Sequence, residues 1–299
     1  MNIIDLHVHS LVSDGSYTPH DLAFHAREVG LSAFALTDHD NIAGNEEAAA
    51  AAKEQGIDFI NGMELTADFM GRKLHIVCLG FDAEHPAFQK LYERIRSVKE
   101  GKIPEIIDYV RAKGIDISLE KVQPFAFGKL DRYAIMRYLV SLHLYDRAQP
   151  LWDNYLDPAV RELGLDQNMP AEEALPAIHA AGGVTSLAHF HKNIGLKGLS
   201  RAEQEEAIAR LHALGLDGME RWYPNYTAED SAFAAHMIEK YGLLVTGGTD
   251  FHGSNRPQIE MGHGIAGNMA IPYEVYTKII LTCKKFCKEQ QENAGATAN

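Results

Sequence analysis

The stretch Ile3-Ile4-Asp5-Leu6-His7-Val8-His9-Ser10 decides the fold, and Ser13-Asp14-Gly15 follows it closely. Ile3 to Leu6 is a short apolar run of the kind that a buried strand shows. His7 and His9 lie on the same side of an extended chain, so their imidazoles can bind one metal ion. Asp14 and Gly15 begin a polar turn that can bring a carboxylate back over the metal site. The stretch therefore predicts a buried first strand that ends at a metal site.

Six further apolar runs repeat this arrangement and alternate with helical patterns. The predicted strands cover residues 33–36, 57–60, 73–79, 184–187, 217–220 and 243–246. Alternation of strands and helices predicts a parallel sheet. In a parallel α/β barrel the carboxyl ends of all strands lie on one face, where active sites are built. Met70-Gly71 is the one connection that indicates a hairpin turn instead.

The pattern also predicts how the chain is divided. Residues 1–100 and 171–290 are expected to form the barrel, and residues 101–170, which show helical pieces without strands, an inserted helical subdomain. A last helix is predicted near residues 272–290. The small, polar tail over 291–299 is expected to be frayed.

Composition and charge exclude several classes of protein. A formal net charge of −13 argues against a broad nucleic-acid-binding face, although metal ions could still provide local phosphate binding. Three cysteines give no disulfide framework. Neither a signal peptide nor an apolar run long enough to span a membrane is recognised, so no membrane partner and a cytoplasmic location are expected.

Nine His, Asp and Glu side chains are predicted to converge at the barrel face, most of them directly after a strand. They are His7, His9, Asp14, His39, Glu64, His75, His189, Asp250 and His252. Zinc takes about four ligands and magnesium about six, so nine ligands imply two or three ions. Mixed imidazole and carboxylate ligands suit manganese, iron or zinc better than calcium or magnesium.

Several motifs resemble those of the PHP (polymerase and histidinol phosphatase) family over nearly the whole chain. They are Asp5-Leu6-His7-Val8-His9-Ser10, Ser13-Asp14-Gly15, Thr37-Asp38-His39-Asp40, Gly62-Met63-Glu64, Ala188-His189 and Asp250-Phe251-His252. The most similar branch holds 3',5'-nucleoside bisphosphate phosphatases and a related RNA 5'-end exonuclease. The resemblance implies an α/β fold, a distorted (β/α)7 TIM-like barrel, and the seven predicted strands agree with it.

The resemblance further implies a trinuclear metal centre, with manganese favoured and iron or zinc as alternatives. The first ion would be held by His7, His9, Glu64 and Asp250. Glu64 would bridge to a second ion held by His75 and His189. Asp14, His39 and His252 would hold the third. Asp5, Asp38 and Asp40 are expected to support these ligands or to be solvated loop charges.

The function implied is metal-dependent hydrolysis of a phosphate ester, most specifically of the 3'-phosphate of a 3',5'-nucleoside bisphosphate. A metal-bound hydroxide would attack phosphorus, held by His7, His9, Glu64, His75, His189 and Asp250. Alternatives are a phosphomonoesterase or cyclic phosphodiesterase, or a 5'-3' exonuclease acting on short RNA 5' ends. More distant ones are an amidohydrolase or deaminase, against which Glu64 after the third strand and the Asp250-x-His252 motif argue, and a non-catalytic metal-binding module, against which the complete ligand set argues.

Substrate contacts are expected from Lys99, Lys102, Arg132, Tyr133, His191, Lys192 and His252. Arg132-Tyr133 matches the substrate-binding arginine of the branch and its neighbour, although Arg132 could equally be a solvated helix start. Relatives usually carry Arg-Asn-x-Arg at 99–102 and His-Pro-Gly-Arg at 189–192, where this chain has Lys-Glu-Gly-Lys and His-Phe-His-Lys. Lysine is a point charge and not a planar fork, so phosphate binding survives while the substrate's identity stays open.

Overall fold

The computed structural model describes residues 2–145 and 148–297. Nine strands form one sheet over these residues. They are β1 (Ile3–Asp5), β2 (Leu31–Leu36), β3 (Asp58–Phe69), β4 (Arg72–Leu79), β5 (Met169–Pro170), β6 (Val184–Leu187), β7 (Gly218–Trp222), β8 (Leu244–Gly247) and β9 (Ile271–Pro272). All seven predicted strands are present, with shifted ends, and the two-residue strands β5 and β9 are additional.

The sheet is curved into a nearly closed barrel. Its strand order is β8-β7-β6-β4-β3-β2-β1-β9, and β5 pairs with β3 off this path. The chain after β1 meets the chain after β8, because the Leu6 amide donates to the Gly247 carbonyl at 3.3 Å and Val8 bridges Phe251. The predicted TIM-like barrel is confirmed, and its closure brings the first and last motifs together.

Helices cover the barrel and fill the segment between β4 and β5. They are α1 (Pro19–Glu28), α2 (Asn45–Gln55), α3 (Pro86–Gly101), α4 (Ile103–Ala112), α5 (Leu119–Val122), α6 (Arg132–Ser141), α7 (Gln149–Leu151), α8 (Asp157–Glu162), α9 (Ala171–Ala180), α10 (Arg201–Ala213), α11 (Ala228–Tyr241) and α12 (Tyr273–Thr297). A π-helical turn, Trp152–Leu156, joins α7 to α8. No described helix combines the length and the apolar character that a membrane span requires.

The prediction of an all-parallel sheet is wrong at β4, which runs antiparallel to both β3 and β6. The cause is the hairpin at Met70-Gly71, where both residues have positive φ (51° and 70°) and reverse the chain at once. Pairing with β4 also prolongs β3 to Phe69. Glu64 therefore lies inside a strand, opposite Val77, and not in a loop after it.

The segment between β4 and β5 has a hydrophobic cluster drawn from its own helices, from Ile103 to Val160. Separate clusters fill the barrel and its helical cover. The last helix, α12, extends to Thr297, beyond the expected end near Gln290. Residues 298 and 299 of the predicted tail lie outside the described residues.

Candidate active site

The two histidines that follow β1 are fixed by the segment that follows β8. The Asp250 amide donates to the His7 carbonyl at 2.8 Å, and the His9 amide donates to the Phe251 carbonyl at 2.9 Å. Gly248 makes this approach possible, since a Cβ atom there would lie 2.2 Å from the Cβ atom of His7. Barrel closure thus places the first and last motifs side by side.

The nine predicted His, Asp and Glu residues meet at this face of the barrel. Three groups of them each present ligand atoms within 4.8 Å of one another. The groups are His7, His9, Glu64 and Asp250; His9, Asp14, His39 and His252; and His39, Glu64 and His75. His189 joins them through its Nε2 atom, 2.8 Å from Glu64 Oε1. The first group has the members of the first implied ligand set, the second adds His9 to the third set, and the third has His39 in place of the His189 of the second set.

Glu64 lies at the centre of the cluster and is fully buried. Its carboxylate oxygens lie 2.8–3.2 Å from nitrogens of five imidazoles: His7, His9, His39, His75 and His189. Burial would raise the pKa of Glu64, but the neighbouring His75, His7 and His39 outweigh it and hold the pKa well below its usual range. The carboxylate is therefore charged and can bind two ions at once.

Burial also controls the candidate imidazole ligands. It lowers the pKa of His189 to about 3 and, with help from Arg256, the pKa of His252 to about 4. Both rings are therefore neutral at pH 7, as metal binding requires. Burial lowers the pKa of His7 as well, but the carboxylates of Glu64 and Glu220 outweigh it and raise the pKa well above its usual value.

The donor set fits divalent transition-metal ions. Some of these atoms lie close together, but eight buried atoms of the cluster have no partner in hydrogen-bonding geometry among the described residues: His7 Nε2, His9 Nε2, Asp14 Oδ1, His39 Nδ1, Glu64 Oε2, His75 Nδ1, His189 Nδ1 and His252 Nε2. Leaving such atoms unpaired costs about 1–3 kcal/mol each, so a concentration of them in one place calls for a ligand. Imidazole and carboxylate donors together match the preferences of manganese, iron and zinc.

Two candidate ligands have a left-handed backbone. The φ angles of His189 and Asp250 are 26° and 55°. Such conformations cost of order 1–3 kcal/mol in residues other than glycine, and they persist only where the surroundings enforce them. Here the enforcing contacts include the His7 carbonyl, which accepts the Asp250 amide, and Glu220, which accepts the His189 amide at 2.6 Å.

Glu220 is a supporting residue that the sequence does not reveal. It is buried in the middle of β7, and its Oε1 atom lies 2.7 Å from His7 Nδ1. A carboxylate in this place orients the ring and leaves Nε2 directed at the cluster. The only available signal is its position at the end of a predicted strand, a feature that it shares with several of the predicted ligands.

The three aspartates set aside by sequence reasoning are all buried. Asp38 accepts hydrogen bonds from the backbone and hydroxyl groups of Ser10 and Ser13. Asp5 accepts from Thr249 and the Gly262 amide. Asp40 accepts from Thr66 and pairs with Lys99 at 2.8 Å. They hold the loops around the site and are not solvated charges.

The predicted substrate residues lie around one cavity of about 530 Å³. It is lined by candidate metal ligands and by Lys99, Lys102, Arg132, Tyr133, His191 and Lys192. The Tyr133 ring stacks parallel to His39, with centroids 5.7 Å apart. Lys99 pairs with Asp40, whereas Lys192 pairs with Asp250, and its Nζ atom lies 2.9 Å from Asp250 Oδ2. Arg96, Trp152 and Arg256 also line this cavity, and sequence reasoning did not select them.

The chain matches the model of the PHP domain over residues 5–165. It is 33% identical to a 5'-3' exoribonuclease of Haemophilus influenzae, over 83% of this chain and 89% of that protein. It is 30% identical to a 3',5'-nucleoside bisphosphate phosphatase of Chromobacterium violaceum, over 87% of this chain and 90% of the relative. It is 29% identical to a phosphoribosyl 1,2-cyclic phosphate 1,2-diphosphodiesterase of Eggerthella lenta, over 84% of this chain and 94% of that protein.

A crystal structure from Bifidobacterium adolescentis, assigned as a metal-dependent phosphoesterase, shares the fold. Its TM-score is 0.79 at 24% identity, over 94% of this chain and 96% of the other. The barrel, the candidate metal cluster and a cavity lined in part by cations, together with these relatives, define a metal-dependent phosphoester hydrolase. The chain belongs to the PHP family, as the sequence resemblance predicted. This membership favours ester hydrolysis over the amidohydrolase and non-catalytic alternatives.

Proposed function

We propose that this enzyme removes the 3'-phosphate of a 3',5'-nucleoside bisphosphate. The observation that carries the proposal is that one cavity of about 530 Å³ is lined both by the candidate metal ligands and by Lys99, Lys102 and Arg132. A substrate with two phosphates can place one at each of these surfaces. The Chromobacterium violaceum relative, whose name states this substrate, supports the same choice.

We assign three divalent ions to the cluster, with manganese favoured and iron or zinc as alternatives. The proposed ligands are His7, His9, Glu64 and Asp250 for the first ion, Glu64, His75 and His189 for the second, and Asp14, His39 and His252 for the third. When bound, such ions supply the Lewis acidity and the positive charge that phosphoester hydrolysis needs. The central position of Glu64, within 3.2 Å of five imidazoles, supports its role as a bridging ligand.

The residues of the chain supply the positioning. Lys102 and Arg132 hold the phosphate that stays, and this contact turns the ester bond toward the cluster. The ring of Tyr133 covers one face of His39 and keeps bulk water from that side of the site. Glu220 fixes the orientation of His7 through its 2.7 Å contact with Nδ1.

A second candidate is the 5'-3' removal of nucleotides from short RNA. The relative from Haemophilus influenzae is named for this activity. Lys73 and Lys197 add cations to the lining of the cavity, and the Lys197 side chain is exposed. An RNA strand could follow these lysines outward, whereas a single nucleotide would not need them.

The deciding experiment measures kcat/KM of the manganese-loaded enzyme. The substrates are adenosine 3',5'-bisphosphate, 3'-AMP, a cyclic nucleotide and a 5'-phosphorylated short RNA. We expect the bisphosphate to react fastest and 3'-AMP much more slowly. Only the bisphosphate has a second phosphate that can bind the cation surface, which consists of Lys99, Lys102 and Arg132. Equal values for these two, or no turnover of either, would contradict the bisphosphate assignment but not phosphoester hydrolysis.

Arg132→Ala provides the matched test of the cation surface. It should reduce the preference for the bisphosphate over 3'-AMP while the metal content stays unchanged. Arg161→Ala is the control, because Arg161 is 72% exposed on α8 and is not among the residues that line the cavity. A preference that survives Arg132→Ala would show that this residue is a solvated helix start.

A further inference from the structure

Asp250 presents its two oxygen atoms to different surroundings. Oδ1 lies 3.2 Å from His9 Nε2 and 3.6 Å from His7 Nε2, inside the candidate metal cluster. Oδ2 faces away from these rings and accepts hydrogen bonds from three side chains: Tyr223 at 2.7 Å, Lys192 at 2.9 Å and Arg256 at 2.5 Å. Two cations therefore lie directly beside a candidate metal ligand.

Arg256 uses little of its hydrogen-bonding capacity in this arrangement. Its guanidinium carries five N–H donors, and among the described residues Asp250 is its only side-chain partner. The side chain is 32% exposed and lines the same cavity as His75 and His189. Some of the N–H donors of this planar guanidinium are therefore available beside the candidate metal cluster. A guanidinium can donate two parallel hydrogen bonds to two oxygens of one phosphate group.

A structural role alone does not account for Arg256. Tyr223 and Lys192 already satisfy Asp250 Oδ2. Asp250 carries a single negative charge for Lys192, for Arg256 and for any ions held by the cluster, so repulsion among these cations is only partly compensated. A phosphate group that bridges the ions and the guanidinium removes that repulsion.

We propose that Arg256 binds the phosphate group that is hydrolysed, and is thus a catalytic residue distinct from the cations that hold the phosphate that stays. The proposal rests on phosphoester hydrolysis as the proposed function. In that reaction a water oxygen bonds to phosphorus, the ester P–O bond breaks, and the proton of the water reaches the leaving oxygen. Arg256 exchanges no proton. It donates hydrogen bonds to non-bridging oxygens as their charge changes.

The test compares Arg256→Gln and Arg256→Lys with the wild type and with the control Arg161→Gln. Each metal-loaded protein is assayed with adenosine 3',5'-bisphosphate and with 3'-AMP, and its metal content is measured. Loss of one donor to a reacting oxyanion lowers turnover by about 10²–10³. We expect Arg256→Gln to lower kcat/KM by about 10² for both substrates equally, with unchanged metal content, and Arg256→Lys to recover part of it.

A second readout uses inorganic phosphate as the probe of the reacting position. Its inhibition constant should rise at least tenfold in Arg256→Gln and stay constant in Arg161→Gln. Three outcomes would overturn the proposal: kcat/KM within twofold of the wild type, a loss confined to the two-phosphate substrate, or a loss that follows metal content and disappears on reloading. The last would make Arg256 only a support for Asp250.

The two proposals can fail separately. If the wild type hydrolyses a different phosphoester, the same variants are tested on that ester, because Arg256 is proposed to contact only the phosphate that reacts. If the wild type hydrolyses no phosphoester, the proposed function fails by itself. In that case direct binding of inorganic phosphate to the metal-loaded wild type and to Arg256→Gln still decides for or against the Arg256 contact.

Discussion

Replacement of Arg137 by alanine should weaken both the fold and one part of the metal cluster. Arg137 lies on α6, in the segment between β4 and β5. Its Nη1 atom donates to three consecutive carbonyl groups of the loop between His9 and Asp14: Leu11 at 2.7 Å, Val12 at 3.3 Å and Ser13 at 3.1 Å. The segment between β4 and β5 thus holds the loop that contains Asp14.

The magnitude follows from these contacts. The Arg137 side chain is 11% exposed, its Nε atom also donates to the Phe125 carbonyl at 2.8 Å, and its guanidinium lies 4.9 Å from the Phe127 ring centroid. Hydrogen bonds to a charged group contribute about 1.5–3 kcal/mol each, but those of one side chain are not additive. We therefore expect Arg137→Ala to lower the free energy of unfolding by about 3 kcal/mol.

Urea unfolding of the metal-free protein measures this loss, with Arg161→Ala as the exposed control, expected within about 0.5 kcal/mol of the wild type. Metal content after a mild chelator wash measures the second effect. Because Asp14 moves with its loop, the variant should lose about one ion per chain before the wild type does. Arg137→Lys keeps the charge and should restore part of both properties.

A stability loss below about 1 kcal/mol would refute the energetic reasoning, since it is less than even one charged hydrogen bond should contribute. Equal metal retention in the wild type and Arg137→Ala would refute the link to Asp14. In that case the other contacts of the loop would be sufficient, among them Asp38, whose carboxylate accepts from Ser10 and Ser13, and Asn255, which donates to the Asp14 carbonyl.

Two further predictions concern the cluster and the cation surface. Glu64→Gln should lower turnover by orders of magnitude, because the Glu64 carboxylate contacts five imidazoles. His20→Ala and His25→Ala, both on α1, should leave turnover nearly unchanged. Near-normal turnover in a Glu64→Gln protein that retains its metals would contradict the bridging role of Glu64. Burial, with Lys99 and Arg132 nearby, lowers the pKa of Lys102 to about 8. Lys102 is thus charged below that pH and neutral above it, so the preference for bisphosphate over 3'-AMP, as a ratio of kcat/KM values, should fall between about pH 7 and 9. Lys102→Met should remove this pH dependence, and a wild-type preference that stays constant over the range would refute it.

Residues at strand ends were the predictable part of this molecule. His7, His9, Asp250 and His252 follow apolar runs directly, and the barrel rule brings such positions to one face. Glu64 and His75 were predicted at the site although β3 was expected to end before Glu64 and the sheet was expected to be parallel. In the β3–β4 hairpin His75 pairs with Thr66, two residues beyond Glu64, so both side chains lie on one face of the ribbon.

The supporting contacts could not be predicted, because they join residues that no local pattern relates. Glu220 and His7 are 213 residues apart, and Arg137 reaches a loop 124–126 residues earlier. Arg256 lies in a short irregular segment without hydrophobic periodicity, where sequence offers no register. Charge alone did not distinguish these residues from the many surface charges of the chain.

The cations of the cavity differ in how readily a phosphate can recruit them. Lys99 pairs with Asp40 at 2.8 Å, and the Asp40 side chain is 5% exposed. Withdrawing Lys99 would leave a buried carboxylate with less compensation, which is costly.

Arg132 pairs with Asp157 at 3.3 Å, and the Asp157 side chain is 58% exposed. Water can replace Arg132 there at little cost, since exposed ion pairs contribute about 0–1 kcal/mol. The phosphate that stays should therefore be held mainly by Arg132 and Lys102. Lys99 should stay paired with Asp40 and attract the phosphate only through its charge. Substitutions at 99 and at 132 would then alter substrate preference by different routes, although both positions line one cavity.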